Sequence, residues 1–118
     1  MMTKLLANLE PVIAAELSEA NRNHPLFASR HDGAAVIREE VEEAEETMRT
    51  VSDIYNELWH DIKHDNYMYL TEDIQHLREA AKNLAGEAVQ VAAMCDKWML
   101  GRGDSNAEAD DSLFAKLP

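Results

Sequence analysis

The sequence predicts an all-α fold, an antiparallel helical bundle made of two long helices and a shorter N-terminal helical region. Apolar residues recur at alternating spacings of four and three along two long stretches, which is the pattern of one buried helix face. The chain of 118 residues contains only 4 Gly and 3 Pro and has no alternating runs rich in β-branched or aromatic residues, so strands are not expected. We expect a single domain over residues 1–100, followed by a flexible acidic tail over residues 101–118.

The first helical region is indicated by apolar residues between Leu5 and Leu17. Pro11 should either kink this helix or open a second short one, because proline has no amide hydrogen for a helix interior. The segment 21–25, NRNHP, should end the region. Polar residues interrupt the apolar start of the chain too often for a signal peptide or a membrane-spanning helix.

The second helix is predicted from an apolar seam that keeps its four- and three-residue spacing over about eight turns. The members of this seam are Ile37, Val41, Ala44, Met48, Val51, Tyr55, Leu58 and Ile62. Residues 31–33 are expected to form the turn that launches the helix. Trp59 lies close beside the seam, so we expect it to pack in the core or against another subunit.

The third helix should follow a turn marked by Asp65 and Asn66, with Thr71 as its N-cap. Its apolar seam consists of Ile74, Leu77, Ala81, Leu84, Ala88, Val91, Cys95 and Trp98. Two long helices joined by a short turn should pack antiparallel. As a member of the seam, Cys95 is expected to be a small buried residue.

Charge and cysteine usage narrow the classes of function. The net charge of −12, from 23 acidic and 11 basic residues, makes nucleic acid or an anionic membrane surface an unfavourable partner. A phosphorylated small molecule is compatible with this charge if a divalent cation, held by clustered carboxylates, inverts the local field. The single cysteine excludes an intramolecular disulfide and fits a reducing compartment, so we expect a cytoplasmic protein.

Six glutamates lie between positions 39 and 46, and their angles on the helix separate them into two groups. At about 100° per residue, most of them, including Glu39 and Glu46, point away from the seam and are typical of a solvated face. Glu40 and Glu43 fall instead on a flank that is otherwise partly apolar. These two carboxylates are therefore candidates for an inward-facing site.

The third helix repeats this arrangement, because Glu87 and Gln90 lie on the corresponding flank of its seam. Like flanks of antiparallel helices meet, so these two residues should face Glu40 and Glu43 across a groove. Half-buried carboxylates repel one another unless a cation or a shared proton relieves them, and Mg²⁺ prefers such oxygen ligands. A solvent-exposed acidic flank without metal remains an alternative. A turn centred near residue 68 would also set Glu43 about two turns from Glu87, a gap that a kink or an earlier helix end must close.

The motifs at positions 40–43 and 87–90, E-x-x-E and E-x-x-Q, resemble those of the MazG-like all-α nucleoside triphosphate pyrophosphohydrolases, in which E-x-x-E and a downstream E-x-x-D hold magnesium. The segments 31–46, HDGAAVIREEVEEAEE, and 87–98, EAVQVAAMCDKW, are similar to a subgroup of small MazG-like proteins from bacteria and phages. The likeness covers roughly a third to a half of the chain, and the second segment is the more specific.

This resemblance implies a Mg²⁺-dependent enzyme, with Mn²⁺ as a substitute, that cleaves an NTP or dNTP to the monophosphate and pyrophosphate. It implies Glu40, Glu43 and Glu87 as metal ligands, and Gln90 as a neutral ligand or a group that orients water. Glu39 or Glu43 would deprotonate the attacking water. Gln90 departs from the pattern of the family, which has Asp at this position.

A second class of function stays open. Two long helices with strict seams would equally suit a non-catalytic helical interaction or adaptor protein with a degenerate MazG-like site, because binding through a helix face needs no metal. Either function favours a homodimer or homotetramer, since so few helices bury little apolar surface alone.

His60 and His64 resemble the zinc-binding H-E-x-x-H pair, but without a third ligand we expect a solvated histidine pair.

Overall fold

The computed structural model of the protein describes residues 2–101, and this part of the chain is helical with no strand. Helix α1 is Met2–Asn23, α2 is Arg30–Lys63 and α3 is Leu70–Gly101. The expected all-α fold, with two long helices and a shorter N-terminal one, is confirmed. Apart from Gly101, the predicted acidic tail lies outside the described residues.

Helix α1 is a single helix of 22 residues that contains Pro11 in its interior, so the chain does not open a second helix there. It ends at Asn23, within the segment predicted to close it. No residue of α1 is fully buried. Its inner face is half-buried and consists of Leu9, Ile13, Glu16, Leu17, Ala20 and Asn21.

The N-terminus of α2 is closed by a reciprocal pair of side-chain hydrogen bonds. The backbone N–H of Asp32 donates to Ser29 Oγ at 3.0 Å, and Asp32 Oδ2 accepts from the backbone N–H of Ala28 at 3.1 Å. The bond to Ser29 satisfies one of the amide groups that the first turn of a helix leaves without partners, and the bond from Ala28 ties the preceding residue to that turn. Because Ser29 caps the helix, residues 31–33 are its first turn, and the expectation that they form a preceding turn is wrong.

The C-terminus of α2 is a Schellman motif. The backbone N–H of Asn66 donates to Asp61 O at 2.9 Å, and that of Asp65 donates to Ile62 O at 3.1 Å. Asp65 has a φ of 53°, the left-handed conformation that this motif requires. Its carboxylate accepts a hydrogen bond from the Tyr67 hydroxyl at 2.6 Å, which helps to hold the turn.

Helix α3 begins at Leu70, two residues earlier than an N-cap at Thr71 predicts. The carbonyl of Tyr69 accepts the first helical hydrogen bond, from the backbone N–H of Asp73 at 2.9 Å. Thr71 therefore lies inside the helix, and its prediction as the N-cap is wrong.

The buried face of α2 is rotated from the predicted seam toward the flank that carries Glu40. Half of the seam is exposed, namely Val41, Met48, Tyr55 and Ile62. The buried and half-buried series also has alternating four- and three-residue spacing, and it consists of Gly33, Ile37, Glu40, Ala44, Thr47, Val51, Ile54, Leu58 and Asp61. Polar residues therefore occupy part of the inner face of α2, while apolar residues of similar spacing lie on its exposed face. Trp59 is 48% exposed, so it is not part of the core.

Helix α3 shows the same rotation toward the flank of Glu87. The exposed half of its predicted seam is Ile74, Ala81, Ala88 and Cys95. On this face the buried and half-buried residues are Leu77, Ala80, Leu84, Glu87, Val91, Met94 and Trp98. Val89, Ala93 and Lys97, on the other side of the last turns, are buried as well. The expectation that Cys95 is buried is wrong, because it lies on the outer side of this rotated face.

The described residues group into two compact units, one formed by residues 2–40 and 89–101 and the other by Val41–Ala88. In the second unit, α2 and α3 form a hairpin whose fully buried apolar residues are Leu58 and Ala80. In the first unit the buried apolar residues are Val89, Ala93 and Met94. None of the helices in the described range has an apolar stretch long enough to cross a membrane.

Candidate metal centre

Three glutamates, Glu40, Glu43 and Glu87, bring carboxylate oxygens to within 4.8 Å of one another. Glu40 and Glu43 are one turn apart on α2, a spacing at which helical side chains are neighbours. Glu87 comes from α3 and completes the group. Glu40 and Glu87 are half-buried, whereas Glu43 is exposed. The group thus has two positions fixed by packing and one that faces solvent.

The position of the turn explains how Glu43 and Glu87 meet. Helix α2 ends at Lys63 and α3 begins at Leu70, so the connection is centred between residues 66 and 67. Glu43 then lies opposite about residue 90, only ~4.5 Å along the helix from Glu87. Glutamate side chains span such a distance. The early end of α2 therefore removes about half of the two-turn gap expected from a turn at residue 68.

The environment of these carboxylates favours a cation. The side chains of Glu43 and Glu87 make no hydrogen bond or ion pair with any other residue in the described range. Three carboxylates this close repel one another, and the repulsion is larger where burial removes water. All three supply oxygen ligands, the type that Mg²⁺ and Mn²⁺ prefer. The donor set therefore fits a hard divalent cation, although exposed acidic groups of this kind are common without one.

Gln90 lies one turn beyond Glu87 on α3, and its side chain is held by a residue of α1. Its Nε2 donates a hydrogen bond to Glu16 Oε2 at 2.7 Å, and the contact is partly buried. The amide nitrogen is therefore engaged by Glu16, which leaves Oε1 as the atom with which Gln90 could ligate a cation. Sequence reasoning missed Glu16, because its contact with Gln90 joins two distant parts of the chain and follows no local spacing.

Glu39, one of the two residues expected to activate water, is exposed and does not belong to the group of three. It lies directly before Glu40 in the chain, about 100° round the helix from it. The structure thus brings together three of the predicted site residues, holds Gln90 beside α1, and leaves Glu39 on the outer face. Both Glu39 and Glu43 are exposed, and of these two only Glu43 belongs to the clustered carboxylates.

Two basic side chains are buried in the first unit, Arg30 at 8% exposure and Lys97 at 3%. The ammonium group of Lys97 lies 5.1 Å from the centroid of the Phe27 ring, a cation–π contact. Phe27 packs closely on the first turn of α2, because a Cβ at Gly33 would lie 2.8 Å from its Cδ2. These contacts give Lys97 a structural role in the packing around Phe27.

The histidine pair at the end of α2 has no additional ligand group. The rings of His60 and His64 have centroids 4.3 Å apart, and His64 Nδ1 lies 2.8 Å from the carbonyl oxygen of His60. Both residues are exposed. Within the described range, the group of Glu40, Glu43 and Glu87 is the one set of three or more His, Cys, Asp or Glu side chains with suitable geometry for a metal ion.

A second acidic contact, also missed from the sequence, joins the two helices of the hairpin near its turn. Burial raises the pKa of the Asp73 carboxyl, and its hydrogen bond with Asp61 and the negative charges of Asp61 and Glu57 raise it further. His76 acts in the opposite direction. This pair consists of only two contacting carboxyl groups, and we assign it to the packing of the hairpin rather than to the metal centre.

Comparison with known proteins gives no relative. No protein-family model, no curated protein and no solved structure matches the chain.

Proposed function

We propose that the protein is a Mg²⁺-dependent nucleoside triphosphate pyrophosphohydrolase of the MazG-like type, which cleaves an NTP or dNTP to the monophosphate and pyrophosphate. The observation that carries the proposal is the convergence of Glu40, Glu43 and Glu87, with carboxylate oxygens within 4.8 Å of one another. The resemblance of these motifs to the paired acidic motifs of that family supplies the type of reaction.

The three glutamates would have different roles, because they differ in burial. Glu40 and Glu87 are half-buried on the inner faces of two long helices, so their carboxylates are held in place for cation binding. When bound, Mg²⁺ supplies positive charge at the phosphoryl oxygens of the substrate. Glu43 is exposed and can accept the proton of the attacking water, with Glu39 as the alternative base. Gln90 contributes its Oε1, oriented by the hydrogen bond from Nε2 to Glu16.

The charge of the chain makes the divalent cation essential to this proposal. A net charge of −12 repels a nucleoside triphosphate, which is itself polyanionic. A cation at the glutamates reverses the local field and gives the phosphates a favourable contact. The proposal includes Mn²⁺ as a substitute metal, a cytoplasmic location and a homo-oligomeric state.

The direct test is pyrophosphate release from a panel of canonical NTPs and dNTPs, with and without Mg²⁺. We expect release from the native protein only with the metal, and a loss of at least about a hundredfold in the double variant Glu40→Ala, Glu43→Ala. The matched control is Glu45→Ala, Glu46→Ala, which removes two exposed carboxylates from the same helix and should retain activity. Equal loss in both double variants would reject the assignment of the site.

The choice between the two candidate bases needs a pH profile. Glu43→Gln and Glu39→Gln should each be assayed over the acid side of the rate profile with saturating Mg²⁺. The variant that lacks the base should lose both rate and the acidic limb of the profile. Because Glu39 lies outside the group of three, we expect the larger effect from Glu43→Gln.

The alternative function is a non-catalytic adaptor, and the large exposed apolar residues of α2 are the observation that favours it. An adaptor would release no pyrophosphate from any nucleotide. Its melting temperature would also not respond to Mg²⁺, and replacing the clustered carboxylates would leave it equally stable or more stable. This combination of results, obtained with a folded protein, would reject the enzyme proposal and support the adaptor function.

A further inference from the structure

Lys97, near the end of α3, is the most deeply buried charged residue of the part of the chain that the structure describes, with 3% exposure. Its ammonium group makes the cation–π contact with Phe27, and within the described range no carboxylate forms an ion pair with it. Burying a charge without an opposite charge costs far more free energy than one cation–π contact returns. The burial of Lys97 therefore indicates a negative group at this position.

The ring of Phe27 brings Lys97 to the first turn of α2. This ring packs against Gly33, where an added Cβ would lie 2.8 Å from Cδ2 of Phe27. Arg30, the first residue of α2, lies one turn before Gly33 and is also buried. The side chain of Arg30 has contacts of its own, but its Nε and Nη1 are buried and make no hydrogen bond with the described residues. Two buried cationic side chains of the first unit are thus brought to the same helix turn.

The start of a helix is an unfavourable place for buried cations. The aligned peptide dipoles give this end of α2 a partial positive charge, which repels the side chains of Arg30 and Lys97 and attracts anions. Asp32 supplies one carboxylate in the first turn, and its Oδ2 accepts a hydrogen bond from the backbone N–H of Ala28. The chain carries a net charge of −12, yet this turn combines two buried cations with the positive end of a helix. The local field therefore favours an anion.

The donor groups at this turn indicate the class of anion. An ammonium group and a guanidinium group only donate hydrogen bonds, so their ligand must supply acceptor atoms. A phosphate group has several acceptor oxygens around one centre and can accept from side chains of two helices at once. We propose that Arg30 and Lys97, at the first turn of α2, form a binding site for a phosphate group.

This phosphate site is separate from the clustered glutamates. Arg30 precedes Glu40 by ten residues, which corresponds to about 15 Å along α2. A phosphate that contacts a cation at Glu40 is therefore too far away to contact the first turn of the helix as well. The site goes beyond the proposed pyrophosphohydrolase activity and does not depend on it.

Calorimetric titration with inorganic phosphate tests the site. The buffer should contain a chelator and no divalent metal, and chloride should keep the ionic strength constant. The native full-length chain should bind one phosphate. Lys97→Met keeps an unbranched apolar stem but removes the charge, and it should raise the Kd for phosphate by at least about tenfold, because hydrogen bonds to charged groups are lost. The matched control is Lys82→Met, at an exposed position of α3, which should leave the Kd unchanged.

A native chain that binds no phosphate, or a Lys97→Met variant that binds it with the native Kd, would overturn the proposal. Arg30→Gln is a second variant, which decides the question if Lys97→Met does not fold, and it too should raise the Kd. Glycerol phosphate distinguishes the source of the group: binding as tight as that of inorganic phosphate assigns the site to a phosphate monoester, and weaker binding assigns it to free phosphate.

The double variant Glu40→Ala, Glu43→Ala separates this site from the metal centre. It should bind phosphate with the native Kd in the absence of metal, whether or not the native protein hydrolyses nucleotides. Thermal unfolding gives an independent readout, because phosphate should raise the melting temperature of the native chain and not that of Lys97→Met. Without phosphate, Lys97→Met should be as stable as the native protein or more stable, since it removes a buried charge. An equal rise in melting temperature for both proteins would reject the site.

Discussion

The side-chain amide of Gln90, on α3, donates a hydrogen bond from Nε2 to Oε2 of Glu16, on α1, at 2.7 Å. A neutral donor at position 90 is matched to a carboxylate at position 16, and a carboxylate at both positions would be repulsive. The MazG-like motif that positions 87–90 resemble has Asp where this chain has Gln90. In this protein, Glu16 supplies a carboxylate beside that position from another helix, which gives a physical reason for the amide on α3.

We predict that Gln90→Glu lowers the free energy of unfolding by about 1–3 kcal/mol, because an isosteric carboxylate loses the hydrogen bond and faces Glu16. The exchange variant, Glu16→Gln with Gln90→Glu, restores one donor and one carboxylate and should recover most of this loss. Urea unfolding of the native protein, the two single variants and the exchange variant measures the coupling. Additive effects of the two substitutions would contradict the contact.

The three clustered glutamates should make the protein more stable when Mg²⁺ is present. A metal that binds only the folded chain adds about 2.7 kcal/mol to the free energy of unfolding at about 100 times its Kd. Glu87→Gln should remove this response. Without metal, the same variant should be as stable as the native protein or more stable, because it removes one of three charges within 4.8 Å.

Thermal unfolding with and without Mg²⁺ measures both effects of Glu87→Gln. The control is Glu46→Gln, an exposed position on the solvated face of α2, which should keep the response to the metal. A variant that lost stability without metal and kept its Mg²⁺ response would show that Glu87 has a packing role instead. Mn²⁺ should reproduce the response, since it accepts the same oxygen ligands.

The sequence predicted the number, type and approximate limits of the helices, because periodic spacing is a local property. Angles on a helix also selected Glu40, Glu43 and Glu87, the three glutamates that the structure brings together. The rotation of the inner faces was not predicted. On α2 the exposed apolar residues Val41, Met48, Tyr55 and Ile62 have the same spacing as a core seam. The polar residues Thr47 and Asp61 lie instead on the half-buried inner face.

The spacing of residues along the sequence also could not predict contacts between distant segments. Glu16 meets Gln90 across two helices, and Lys97 is buried against the ring of Phe27, although a lysine is usually placed on the surface. The end of α2 depends on the left-handed conformation of Asp65, which is more often found at glycine or asparagine. Each of these features depends on a tertiary or backbone detail that hydropathy does not encode.

The carboxyl group of Asp73 should make the stability of the hairpin depend on pH. Its folded-state pKa is raised above the ordinary value of 3.8, by burial first and then by Asp61 and Glu57. The stability that this carboxyl contributes is therefore fully present below pH 3.8 and is lost as the pH rises through the folded-state pKa. At neutral pH the charged form opposes folding.

We accordingly predict that Asp73→Asn raises the melting temperature at neutral pH, because the amide is uncharged and can donate to Asp61. The difference from the native protein should shrink as the pH falls toward 3.8. The control Asp53→Asn, at an exposed position of α2, should change little. A lower melting temperature for Asp73→Asn at neutral pH would mean that the attraction between its charge and the first turn of α3 is the larger effect.

The two internal helical glycines, Gly33 and Gly86, should respond in opposite directions to the same substitution. Alanine is favoured over glycine in a helix interior by about 1 kcal/mol. At Gly86 no atom lies within 4 Å of an added Cβ, so Gly86→Ala should stabilise the protein by up to this amount. At Gly33 the added Cβ would lie 2.8 Å from Cδ2 of Phe27, closer than such atoms pack.

Because Phe27 also contacts the ammonium group of Lys97, its ring cannot move away from Gly33 without disturbing a buried charge. Gly33→Ala should therefore destabilise the protein by about 1–3 kcal/mol despite the higher helix propensity of alanine. Adding Phe27→Leu should relieve the contact, so that Gly33→Ala is less damaging in the Phe27→Leu background than in the native one. Chemical unfolding of the four variants measures this coupling, and equal losses in the two backgrounds would show that Phe27 does not restrict position 33.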